Sequence, residues 1–318
     1  MRFLFLSLFF LSGFAVGQPY PDKPIRLVVG YSAGGPTDVI ARVLAQDMTA
    51  SLGQSVVVEN KTGANGLIGT LEVKKAPADG YTVLMFTLSH NVNAILMAEK
   101  KPYDPLADFT PVTLVCTLPL VLVTKGDSPA NSVGDLIREA KAKPNQVSYA
   151  SAGNGGSAHL AAALLATLSR TEMTHVPFRG NAPALTEVMA GRVSFMFYPM
   201  VGITEQVAQK RLKALAVSTA QRHADYPGVP TMAESGFPGF EQYTQGLGIV
   251  GPRGVPAAAV DRLNAAVRAS LAKPETKARL AGLGAITQPG SPQELTAWLK
   301  EDAERWARVI KAAGVKEE

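Results

Sequence analysis

Cysteine is almost missing from this chain of 318 residues, where Cys116 stands alone. One thiol excludes an intramolecular disulfide framework and any zinc site built on two or more thiolates. Histidine is scarce too: His90, His159, His175 and His223 lie far apart, with no second ligand type at metal spacing, so structural or surface roles are expected for most of them. The G-x-S-x-G elbow, the Walker A loop, H-E-x-x-H and C-x-x-C are all absent, which leaves no assembled nucleophile, phosphate loop or metal motif. Nor is there a basic run longer than two, as at Lys74-Lys75 and Lys100-Lys101. A net charge of +5 and a pI near 9.2 therefore read as solubility rather than a nucleic-acid track. Neither an enzyme nor a resident cofactor is expected. With 18% charged and 47% hydrophobic residues the chain is globular, and it is long enough for two ordinary domains.

Outside the N-terminus no apolar run is long enough to cross a membrane. There Arg2 precedes the run Phe3 to Phe14, and Ala15-Val16-Gly17 offers small residues at cleavage spacing. Spanning a bilayer takes about 20 apolar residues, so residues 1–17 read as a secretory signal peptide and the working protein as exported to a periplasm.

From Lys23 onward short β-branched runs alternate with segments of helical period, the pattern of an α/β chain. Strands are expected at Ile25 to Val29, Val56 to Val58, Thr82 to Phe86, Val147 to Ala150, Met173 to Val176, Val193 to Phe197 and Leu212 to Val217. Ile40, Leu44, Met48 and Leu52 mark one face of a helix that Gly53 closes. Further helices are expected near 67–75, 132–142, 157–168, 181–190 and 201–209. Val112 to Val123, interrupted at Pro119, reads as a strand crossing between domains, and Thr244 to Val250 as the return. Helix follows from Pro256, including a long segment from Pro292 to Ala313. The expected organisation is one domain from 18–120 plus 245–318 and a second from 121–244.

Two segments repeat one design, a strand, a run of small residues and a helix start. They are Tyr31-Ser32-Ala33-Gly34-Gly35-Pro36-Thr37-Asp38 and Ser151-Ala152-Gly153-Asn154-Gly155-Gly156-Ser157-Ala158-His159. Helix N-termini carry unpartnered N–H groups and favour negative charge, and glycines let a ligand approach the backbone. Ser32, Thr37, Ser151 and Ser157 add hydroxyls. One such loop in each domain would bring both to one cleft, outside the carboxyl ends of the strands. Arg179, Lys23 and Arg26 are candidate helper cations. Asp38 either orients its loop by accepting backbone N–H bonds or meets an amine on the ligand. Gly63-Ala64-Asn65-Gly66-Leu67-Ile68-Gly69 has the wrong spacing for a dinucleotide fingerprint, and the sequon Asn60-Lys61-Thr62 carries little information.

Larger motifs follow in order: Tyr20-Pro21-Asp22-Lys23-Pro24-Ile25-Arg26, Gly34-Gly35-x-Thr37-Asp38, Val57-Val58-Glu59-Asn60-Lys61, Asp79-Gly80-Tyr81-Thr82, His175-Val176-Pro177-Phe178-Arg179-Gly180, Gly228-Val229-Pro230-Thr231 and Gly251-Pro252-Arg253-Gly254. Across nearly the whole mature chain the sequence resembles the Bug-type extracytoplasmic receptors of tripartite tricarboxylate transporters. The resemblance implies a two-domain type II periplasmic-binding fold that closes on a carboxylate, with no cofactor and no nucleic acid. It also implies transient delivery to an inner-membrane permease, here by a monomer; a receptor feeding a sensor kinase is the alternative. Carried over residue by residue, the site would comprise Tyr31, Ser32, Ala33, Gly34, Gly35, Thr37 and Asp38, then Ser151, Ala152, Gly153, Asn154, Gly156, Ser157 and His159. Thr87, Ser89 and His90 would line the variable side, with Arg179 and Tyr198 completing the set. Tyr198 stands where the family often has aspartate, which argues against an amino-acid ligand and for a simple or aromatic acid.

Overall fold

The structure is a computed structural model and describes residues 20–316 apart from 201 and 225. The signal peptide expected over residues 1–17 lies outside the described residues. The first stretch runs β1 (Ile25–Val29), α1 (Pro36–Leu52), β2 (Val56–Asn60), α2 (Leu67–Lys74), β3 (Thr82–Phe86), α3 (Ser89–Leu96) and β4 (Phe109–Leu118). It continues with β5 (Leu120–Lys125), α4 (Val133–Ala142), β6 (Ser148–Ser151), α5 (Ser157–Ser169), β7 (Thr174–Pro177), α6 (Asn181–Met189), β8 (Phe195–Pro199), α7 (Thr204–Ala208) and β9 (Leu212–Val217). The chain returns through β10 (Gln245–Pro252) to α8 (Ala257–Ala272), α9 (Pro274–Gly282), β11 (Ile286–Thr287) and α10 (Pro292–Ala313).

These strands form two sheets, ordered β11-β4-β10-β3-β1-β2 and β7-β6-β8-β5-β9. The α/β fold class expected from the alternation is the one observed. Strand β1 pairs in parallel with β2 and β3, and β6 does so with β7 and β8. Each loop leaving β1 or β6 therefore opens at a strand's carboxyl end and enters a helix. All five residues of β3 are buried, as a strand covered on both faces requires.

Pro119 has no N–H to give to a ladder, and the long apolar run splits there. Leu118 ends β4 in the first sheet, whereas Leu120 begins β5 in the second. Strand β10 returns with Gln245 opposite Leu118, so both crossings lie side by side. Helix α1 buries Ile40, Leu44, Met48 and Leu52, and Gly53 at φ 72° donates its N–H to Thr49 O.

Helix α10 begins in a capping box between Ser291 and Glu294. At 22 residues and a rise of about 1.5 Å per residue it is long enough to bridge both sheets. Leu295 and Leu299 pack with Val28 and Phe86 of the first sheet. Trp306, Val309 and Ile310 pack with Leu160 and Phe195 of the second.

Helix α3 occupies a segment that sequence reading leaves as loop, because Ser89-His90-Asn91-Val92-Asn93 is poor in strong helix formers. Asn91 ties it to α10, donating to Leu299 O at 3.0 Å and to the buried Asp302 at 2.9 Å. Among the described residues no helix is long and apolar enough to cross a membrane.

Candidate functional site

Four helices, α1, α3, α5 and α6, point their N-termini at one cleft between the sheets. Their N-cap positions are Gly35, Leu88, Gly156 and Gly180, and none has a side-chain cap hydrogen bond. The first-turn N–H groups of α1, α5 and α6 thus lack both intrahelical and side-chain acceptors, whereas in α3 Ser89 N donates to Thr87 Oγ1 at 3.3 Å and His90 N to Thr87 O at 2.9 Å. Three of the four caps are glycine, which leaves the backbone open to a ligand. The cavity measures about 160 Å³ and is lined by Ser32 to Thr37, Thr87 to Ser89, Gly156 to Ala158 and Gly180 to Ala182, with Tyr31, Asn65, Ala152, Tyr198 and Gln245. No Asp, Glu, Lys, Arg or His lines it. The groups that face it are helix termini and neutral dipoles.

Behind the first loop, Asp38 is buried and accepts from Gly34 N, Arg42 Nε and Asn60 Nδ2, each at 2.9 Å. Burial opposes its charge, but those three donors together hold the carboxyl below the usual carboxylate range. Asn60 Nδ2 also donates to Tyr31 O at 2.9 Å, so the loop is stitched to β2. Of the two roles left open for Asp38, loop orientation is the one the structure displays. The carboxylate does not line the cavity.

Behind the second loop, Ser151 Oγ meets Gly153 O at 3.0 Å, Gly153 N at 3.1 Å and His175 Nε2 at 2.6 Å. Gly155 N donates to His159 Nδ1 at 3.0 Å, and the His159 and His175 rings stack 3.8 Å apart beside Tyr149. Ser151 and His159 were expected to face the ligand. Both are buried and hold the loop from behind, because a strand's last residue and a helix's third turn their side chains inward here.

His90 also departs from expectation. Its Nε2 lies 2.9 Å from Pro105 O, its ring packs among Phe86, Tyr103 and Phe109, and burial pushes its pKa down to about 4. It is a core residue behind β3. Arg26 is engaged by Glu59 and Glu72 and Lys23 by Asp79, outside the cavity lining. Gly153, Asn154 and Arg179 line an adjoining outer chamber instead, and Asn154 Nδ2 donates to Lys316 O at 2.7 Å.

The remaining wall is a hydroxyl ladder. Tyr31 OH lies 3.1 Å from both Asn65 Oδ1 and Thr87 Oγ1, and Thr87 Oγ1 lies 3.0 Å from Ser89 Oγ. Ser157 Oγ donates to Gln245 Oε1 at 2.8 Å, linking α5 to the returning strand. Sequence reading missed Asn65, Gln245 and the Gly180-Asn181-Ala182 turn. The last had a signal, since Phe178-Arg179-Gly180-Asn181 repeats the strand, glycine and helix-start pattern of the two recognised loops.

The paired imidazoles give a pH prediction. Burial pushes His159 down to about 3, with repulsion from His175 adding to it, and burial pushes His175 down to about 4. Between the ordinary value of 6.5 and these values the unfolded chain binds more protons, so stability is full above about 6.5 and is lost as pH falls. A melting series from pH 7 to pH 4 is expected to cost the wild type on the order of a few kcal/mol more than His159→Gln, which keeps an acceptor for Gly155 N–H. Parallel curves would show that the pair carries no such linkage.

Comparison with known proteins adds the following. Residues 40–315 match the family model described as the tripartite tricarboxylate transporter family receptor. A UPF0065 protein from a tcbD-tcbE intergenic region of a Pseudomonas species is 41% identical, the match covering 92% of this chain and 86% of the relative. The solved periplasmic binding protein BugD is 36% identical, with a TM-score of 0.86 over 94% of this chain and all of that one. The R. palustris protein Rpa4515, solved with adipate, is 34% identical, with a TM-score of 0.88 over 93% of this chain and 99% of that one.

Proposed function

Because the chain belongs to the tripartite tricarboxylate transporter receptor family, we propose that its cleft captures a small carboxylate and that the loaded protein delivers it to an inner-membrane permease. The observation that carries this reading is the convergence of helix N-termini, those of α1, α5 and α6 with open first-turn N–H groups, on a cavity with no charged lining residue. Each hydrogen bond to a charged group is worth roughly 1.5–3 kcal/mol, so three or four N–H and hydroxyl donors reach about −8 kcal/mol, a micromolar affinity. No cation is required. The lining offers no carboxylate to pair with an ammonium group, in keeping with an acid rather than an amino acid. The adipate bound by Rpa4515 is an acid of this kind.

In this reading residues 18–120 with 245–318 form one domain and 121–244 the other, a division supported by the sheet membership of their strands. Tyr31 to Gly35 and Thr37, with Thr87 and Ser89, face the ligand from the first, and Ala152, Gly156, Ser157 and Tyr198 from the second. Asp38, Ser151 and His159 act through the loops they brace. The receptor works as a monomer in the periplasm after loss of residues 1–17, and performs no covalent chemistry.

The test is a thermal-shift screen of residues 18–318, refolded to remove carried-over ligand, against mono-, di- and tricarboxylates and the matching carboxamides. Linkage gives about 2.7 kcal/mol of stabilisation at one hundred times the dissociation constant. A shift with at least one acid and none with its amide is expected. Silence for every acid, or equal shifts for acid and amide, contradicts the proposal.

A further inference from the structure

Between β2 and α2 the turn Ala64-Asn65-Gly66 holds three consecutive residues in the left-handed region, at φ 46°, 50° and 81°. Glycine adopts that conformation freely and asparagine more readily than most side chains, but alanine only at a cost. The turn is pressed onto the end of β1: a Cβ on Gly30 would stand 2.8 Å from Gly66 Cα, and one on Gly69 3.2 Å from Gly30 Cα. Backbone packed this closely has no room to relax, so the strained turn is kept and Asn65 is the side chain it presents at the cleft. We propose that Asn65 is a positioning residue for closure, the first-sheet half of a latch on which the loop Gly153 to Gly156 seats when the cleft shuts. This role rests on the receptor reading above and concerns how the loaded form is held closed.

Three observations support it. First, the amide is fixed from its own side. Oδ1 accepts from Tyr31 OH at 3.1 Å, Nδ2 donates to Asn93 Oδ1 at 3.3 Å, and Asn93 Nδ2 returns a bond to Asn65 O at 3.0 Å. A short side chain with both amide atoms engaged has little freedom left to lose when the other side packs on it. Second, it meets that other side where no side chain stands. A Cβ built on Gly155 would lie 3.4 Å from Asn65 Nδ2, and one on Gly156 would lie 3.9 Å from Asn65 Oδ1. The two glycines leave a gap that the amide fills. Third, Asn65 lines both the cleft and the adjoining chamber, so it stands on the boundary where the two sides touch. The bonds to Tyr31 and Asn93 lie within the first-sheet side and persist when the cleft opens, whereas the contact with Gly155 and Gly156 exists only when it is shut.

The experiment is calorimetric titration of residues 18–318, stripped of ligand by refolding, with the mono-, di- and tricarboxylic acids of the screen above, acetate, adipate and citrate among them. The wild type and Asn65→Gly are compared, alone and in the background of Gly155→Val, where a Cβ 2.8 Å from Leu96 Cδ1 holds the two sides apart. Asn65→Gly supplies the residue that the left-handed backbone prefers, so unliganded melting is expected to stay within a few degrees of wild type. Affinity is expected to fall about tenfold, and small-angle scattering with saturating acid to find Asn65→Gly more open than wild type. In the Gly155→Val background the same substitution is expected to change affinity less than about twofold, because a contact already broken cannot be lost again. Two results overturn the inference while leaving the receptor reading intact: wild-type affinity and scattering for Asn65→Gly, or the same loss of affinity in both backgrounds. Failure of every acid to bind the folded wild type overturns both together.

Discussion

Ser157→Asp is expected to abolish carboxylate binding while leaving the unliganded fold as stable as before, or more so. Ser157 is the first residue of α5 and lines the cleft, with Gly156 as an N-cap that offers no side chain. A carboxylate in a first helical turn gains about 0.3–1 kcal/mol from the unpartnered N–H groups. The same charge stands where the ligand's own would go. Two like charges ~5 Å apart at an effective dielectric near 20 repel by about 3 kcal/mol, which is more than a hundredfold in affinity. Ser157→Asn removes the same hydroxyl without adding charge and is expected to stay within about tenfold of wild type. The pair of variants separates charge from the loss of the Gln245 hydrogen bond. Calorimetry and melting curves on both would decide it, and equal affinities for the Asp and Asn variants would mean that the anion lies elsewhere.

Gly155→Val is expected to act on closure. Gly155 sits in the second-sheet loop at φ 72°, and a Cβ there would stand 2.8 Å from Leu96 Cδ1 and 2.9 Å from Val92 Cγ1, both on α3 of the other side. The backbone penalty falls on every state of the protein, about 1–2 kcal/mol or more for a branched residue. The steric penalty falls only on the state in which the two sides touch. Overpacking of about 1–3 kcal/mol therefore lowers affinity roughly tenfold to a hundredfold, on top of any loss of melting temperature. Gly153→Ala supplies the comparison, since Gly153 also has positive φ, 128°, but nothing lies within 4 Å of its Cβ. It is expected to cost stability with a smaller loss of affinity. Small-angle scattering with saturating acid should find Gly155→Val more open than wild type. Unchanged affinity and a wild-type profile would show that α3 and this loop do not need to meet for binding.

What the sequence disclosed, and what it hid, follows from the kind of signal each residue carries. Gly34-Gly35-Pro36 and Gly155-Gly156-Ser157 were visible because glycine and proline punctuate the chain at turns and helix starts. Pro119 was visible because a residue without an N–H breaks an apolar run into two strands. Direction is another matter. Ser151, His159 and His90 have the right types and lie in the right segments, yet each turns into the interior, where Gly153, Gly155 and Pro105 receive them. Neither composition nor spacing says which way the last residue of a strand points when its loop curls over it. Helix α3 was hidden because tertiary contacts, Asn91 to Asp302 and Tyr103 OH to His90 O at 2.8 Å, hold residues of weak helical propensity in place. Gln245 was hidden because its partner Ser157 lies 88 positions away, and only the return of β10 brings them together.

The most direct test of the account is a crystal structure of residues 18–318 with the acid that gives the largest thermal shift. The account predicts a carboxylate within hydrogen-bonding distance of backbone N–H groups in the first turns of both α1 and α5, with no Lys or Arg in its shell. An acid with no carboxylate in the cleft, or one held by a cation while those N–H groups stay unoccupied, would contradict it.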